Sequence, residues 1–177
     1  MAPLSTKKRP SKSKPKKKAG SASSASRRQL APTIIVQAPP PPKVTKPEGP
    51  SYEEARVFLE MVGLTFTPHF ATARDWFLGK FEAKDLTDFR TKFPDDSEEY
   101  ARFWTVCGWF ETAGVLMKNR HLNGDLFFDR FAVGPFWNKA KVIVHGLQKE
   151  SGMKELFENF EWLVRKEQAW HKGREKA

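Results

Sequence analysis

Residues 98–118 read EEYARFWTVCGWFETAGVLMK, and this stretch decides the fold. Ser97 stands just before it as an N-cap, and Glu98 and Glu99 sit where the positive end of a helix favours acids. Phe103, Trp104, Val106, Cys107, Trp109, Phe110, Ala113, Val115, Leu116 and Met117 then cover nearly every face of the predicted helix. A helix that is apolar all round belongs in the middle of its domain. Gly108 and Gly114 each cost about 1 kcal/mol of helix propensity relative to Ala. Close approach of neighbouring helices is the expected reason for both.

Helical signals continue on either side. Ser51 and Glu54 form an S-x-x-E capping box that opens a helix over 52–62, with Gly63 as its expected stop. Thr67-Pro68 starts a second helix over 68–78. A short helix is expected over 85–93, ended by Pro94. Another begins at Asn123 or Gly124 and carries Leu126, Phe127, Phe128 and Phe131. Gly134-Pro135 starts a helix in which Phe136, Ala140, Ile143 and Leu147 recur at helical spacing, up to Ser151-Gly152. The last is expected over 153–172, with Leu156, Phe160 and Leu163 on one stripe. No alternating strand pattern of useful length occurs. The fold class is therefore all-α, an irregular multi-helix bundle around a buried central helix at 98–118.

The chain changes character near residue 50. Residues 1–50 hold 12 Lys or Arg against the single acid Glu48, a net charge of +11, whereas residues 51–177 hold 19 against 20, a net of −1. All 23 aromatic residues lie from Tyr52 onward, and ten of the 13 prolines lie at or before Pro50. Residues 1–50 are thus expected to be a disordered, polybasic and Pro-rich tail, and residues 51–177 a single helical domain. Within the tail, residues 7–18 read KKRPSKSKPKKK. Lys7, Lys8, Arg9, Lys12, Lys14, Lys16, Lys17 and Lys18 are the expected polyanion-binding residues, because cations that neutralise phosphates release condensed counterions. With no aromatic residue to stack on bases, such binding is expected to be non-specific and salt-sensitive. The same charges suit an anionic membrane surface or a nuclear-import signal.

Several classes of chemistry are disfavoured. One cysteine, Cys107, excludes an internal disulfide and any multi-Cys metal site within one chain. None of the four His residues has Glu three positions before it, so the Glu-x-x-His pattern of a bundle di-metal site is missing. The phosphate-binding and nucleophile-elbow motifs are also missing. No apolar run approaches the roughly 18 residues of a membrane span, and no secretory signal is recognisable. Glu111 and Glu161 each follow a core Phe, and with His145 they form a speculative interhelical pocket for acid–base work. The competing expectation is that each carboxylate sits at a boundary and pairs with a cation or a helix N-terminus. Asp125 and Asp129 are expected to be solvated on one helix face, Glu167 to be a surface partner of His171, and Trp170 to be a possible partner anchor.

The segment WFETAGVLMKNRHLNGDLFFDRF, then Phe136-Trp137, then FENFEWLV at 157–164, resembles a family of uncharacterised, mostly bacterial small helical proteins known only as a domain of unknown function. The shared pattern is F-E-x-x-G-x-L, a Trp-bearing helix and a closing F-E-x-L, over roughly residues 70–170. The resemblance implies a helical fold and no particular activity. The expectation from sequence is a non-catalytic, cytoplasmic protein (nuclear in a eukaryotic cell) without a cofactor. Its domain would contact an unknown protein partner, and its tail nucleic acid or another polyanion. The alternatives are a small-molecule-binding or hydrolytic domain using the interhelical carboxylates, and a protein of anionic membrane surfaces.

Overall fold

The computed structural model describes residues 49–176. The eight cationic residues of 7–18, and the expectation of a disordered tail, fall outside these residues. Among the described residues there are seven helices and no strand: α1 (Tyr52–Thr65), α2 (Pro68–Gly79), α3 (Leu86–Lys92), α4 (Glu98–Lys118), α5 (Gly124–Arg130), α6 (Gly134–Ser151) and α7 (Glu158–Arg174).

Five of the seven start on their own side-chain cap. Ser51 accepts from the Glu54 amide and donates its own amide to the Glu54 carboxylate, which completes the capping box of α1. Thr67, Asp85, Ser97 and Asn123 accept from the third helical amide of α2, α3, α4 and α5. Each such cap contributes about 1 kcal/mol. Helices α6 and α7 have Val133 and Phe157 at the cap position, and neither supplies an acceptor side chain.

Two boundaries differ from the sequence expectation. Helix α1 runs through Gly63 to Thr65, since nothing at Gly63 requires a left-handed backbone. Helix α7 starts five residues later than expected, because Phe157 adopts φ 58° and breaks the helical path. That strained conformation is held by burial of the Phe157 ring against Trp104, with centroids 5.0 Å apart. Gln148 of α6 secures the connection by donating to the Leu156 carbonyl at 2.8 Å.

Helix α4 is central as expected, packed along α2 and along α7, with α6 against α7 and α3. Phe77, Phe81, Phe89, Phe103, Phe110, Phe127 and Phe160 are essentially inaccessible to water. The rings of Phe110 and Phe160 stack at 4.8 Å and 8°, which joins α4 to α7. Each such pair adds about 0.5–1.5 kcal/mol to the burial of its rings. Gly114 is where α4 and α7 touch backbone to backbone: a Cβ there would lie 2.4 Å from the Asn159 carbonyl oxygen. Gly108 corrects the other half of that expectation, because a Cβ there meets nothing within 4 Å. A close approach not anticipated from sequence occurs at Gly146 of α6, where a Cβ would come within 2.9 Å of the Leu86 Cβ.

Candidate functional site

The charged side chains inside the domain are occupied by helix ends. Glu111, half-buried on α4, accepts from the Phe160 amide at 2.8 Å and from the Asn159 side-chain amide at 2.6 Å. It thereby caps α7, one of the two helices without a cap of their own. Glu167 does the same for α6. It is 7 % exposed, and its two oxygens accept from the amides of Val133 at 2.7 Å and Gly134 at 2.8 Å. Lys139 of α6 serves the opposite pole: its ammonium donates to the carbonyls of Phe77 (3.2 Å), Leu78 (2.9 Å) and Phe81 (2.9 Å) at the end of α2. All three ammonium hydrogens are thus used. Anions sit at N-termini and the cation at a C-terminus, as the helix dipole favours.

The residues of the speculative pocket separate into two groups. Glu161, on α7, pairs with Arg165 at 2.8 Å and approaches the Nε2 of His145 to 4.0 Å. His145 is exposed, with its ring edge-on to Trp137. Glu111 has different partners and faces the start of α7. Glu161 and Glu167 both line a shallow depression between α6 and α7, but both Glu167 oxygens are already engaged. Cys107 is fully buried, and burial, followed by the charge of Glu111, pushes its thiol well above its ordinary pKa. A thiol so placed is inert. Among the described residues no group of three or more His, Cys, Asp or Glu could hold a metal ion.

Asp125 and Asp129 have partners on α7. Asp125 accepts from the Trp170 indole at 2.7 Å, and Asp129 pairs with Arg174, whose guanidinium lies over the Trp170 ring. Trp170 is therefore half-buried and tied to α5. Glu167 is turned to the core, so it is no surface partner of His171. The signal for Glu167 was present in the sequence: it extends the stripe Phe160, Leu163 at helical spacing, and a Glu on an apolar stripe implies a buried donor.

A family model described as a domain of unknown function (DUF4760) matches residues 54–167, more than half of the chain. The chain belongs to this family. The matched segment runs from the first turn of α1 to Glu167 and so includes all three cross-helix caps. No curated protein and no solved structure matches the chain.

Proposed function

We propose that the chain is a non-catalytic helical interaction module whose polybasic segment holds it on nucleic acid or another polyanion. The observation that carries this reading is the charge division: +11 in residues 1–50 against −1 in residues 51–177. Lys7, Lys8, Arg9, Lys12, Lys14, Lys16, Lys17 and Lys18 form the binding run. The commitment of Glu111, Glu167 and Lys139 to helix ends supports the absence of acid–base chemistry, since groups that satisfy buried backbone cannot leave without cost. A face for a protein partner is available on α1. Tyr52 and Leu59 on α1 and Phe66 at its C-cap recur every seven residues and are 79 %, 65 % and 72 % exposed. The heptad spacing suits a partner helix laid along α1. A cytoplasmic or nuclear location belongs to the same reading.

The test is retention on labelled random duplex DNA by the full chain and by residues 51–177. The full chain is expected to bind and the shortened one to be lost from the duplex. Equal binding by both sinks the proposal. An anionic membrane surface would draw the same lysines, and no described helix is long and apolar enough to cross a bilayer. Sedimentation with vesicles of acidic and neutral lipid separates that alternative. A ligand-binding or hydrolytic centre on Glu111, Glu161 and His145 has the approach of Glu161 to His145 in its favour and the engagement of Glu111 against it.

A further inference from the structure

One cleft in the domain has no part in the reading above. It lies between α2, α4 and the α5–α6 connection, has a volume of about 200 Å³, and is walled by the rings of Phe70, Trp109, Phe110, Phe131 and Phe136. Arg74 and Arg130, with Thr65 and Ala132, complete its lining, and no Asp or Glu belongs to it. Arg130 is exposed, lies over the Phe131 ring at 5.3 Å, and has no ion-pair partner among the described residues. Among the described residues Arg74 pairs only with the neighbouring Asp75, at 2.8 Å, and the two side chains are 40 % and 69 % exposed. A pair of that kind is worth little and yields readily to a better acceptor.

We propose that this cleft is a binding site for a small aromatic carboxylate. The walls select a flat ring. Ring pairs already meet here edge to face and tilted, Trp109 with Phe131 at 5.0 Å and Trp109 with Phe70 at 5.3 Å, and another ring extends that arrangement. The two arginines select an anion, and the planar fork of a guanidinium matches a carboxylate with two parallel hydrogen bonds. The volume selects a small ligand, because it falls below the roughly 300–1,000 Å³ of sites for drug-sized molecules. Every lining residue lies within 54–167, so the site belongs to the segment that the family model matches.

The test is calorimetric titration of the full chain with phenylacetate, with phenethylamine as the cationic counterpart and hexanoate as the carboxylate without a ring. Phenylacetate is expected to bind with a sub-millimolar Kd, and the other two at least about tenfold more weakly, the loss of one charged or ring contact. Arg130→Ala and Arg74→Gln each weaken phenylacetate by about tenfold or more. Both guanidiniums are partly or fully exposed, so both variants keep the native melting curve, which circular dichroism verifies. Three results overturn the proposal: no saturation by about 5 mM phenylacetate, a range where weak fragments still register; equal binding of phenethylamine or hexanoate; or unchanged affinity in both arginine variants.

Discussion

Replacing each of the two glycines of α4 by alanine should move stability in opposite directions. At Gly108 the new methyl group meets nothing within 4 Å, so only the backbone effect remains. Alanine there should stabilise the domain by about 0.5–1 kcal/mol. At Gly114 the same helix-propensity gain is opposed by contact. The methyl carbon would lie 2.4 Å from the Asn159 carbonyl oxygen, 2.8 Å from its carbon and 2.9 Å from its Cβ. None of these atoms is the far end of a flexible side chain, so α7 must move away from α4. Overpacking of this kind costs about 1–3 kcal/mol. The same movement loosens the bonds from Asn159 and Phe160 to Glu111, and a hydrogen bond to a charged group is worth about 1.5–3 kcal/mol. Gly114→Ala should therefore be destabilised by about 2–3 kcal/mol net, which separates the two variants by roughly 3 kcal/mol. Urea unfolding followed by far-ultraviolet circular dichroism measures both, with the m-value as the check on two-state behaviour. A Gly114→Ala protein as stable as wild type would refute the backbone contact of α4 with α7.

Other consequences follow from the buried polar groups. Glu167→Ala leaves the amides of Val133 and Gly134 without an acceptor, and should lower stability in urea by about 2–4 kcal/mol; a loss below about 0.5 kcal/mol contradicts the capping role. Cys107 should resist a thiol reagent at pH 8 in the native protein and react at once in denaturant; rapid native labelling contradicts its burial. Its folded pKa is raised, so its contribution to stability is complete below the unfolded value near 8.5 and is lost as pH rises toward the folded value, by at most about 1.4 kcal/mol per pH unit. Cys107→Ala should lack that share of the alkaline loss when stability is measured at pH 8 and 10; identical pH profiles for the two proteins would contradict it.

The helices were legible wherever a local rule governs them. Ser51, Thr67, Ser97 and Asn123 mark four starts because a cap is a bond between residues three apart. The all-round apolar surface of 98–118 marks the central helix because burial there does not depend on knowing its neighbours. What could not be read depends on partners distant in sequence. Gly108 and Gly114 look alike in the chain, and only the path of α7 tells them apart. The late start of α7 follows from the Phe157 ring filling space beside Trp104, a contact across more than fifty residues. Glu111 was open to either a catalytic or a capping reading, and the position of the α7 amide decides which bonds it makes. Lys139 carried no local signal, since its three acceptors lie about sixty residues away. The absence of a cap residue before α6 was a usable clue to a donor-hungry helix end, and the Glu167 carboxylate answers it.

Under the proposed function, the interior charges of the domain serve its own helix ends and the basic segment supplies the external attachment. The most direct measurement is the salt dependence of duplex DNA binding, by fluorescence anisotropy, for the full chain and for a variant with Lys7, Lys8, Arg9, Lys12, Lys14, Lys16, Lys17 and Lys18 all replaced by Gln. The full chain is expected to show a steep log–log slope, with an upper bound of about −7 for eight phosphate contacts, and the variant a slope much closer to zero. Equal slopes and equal affinities for the two proteins would contradict it.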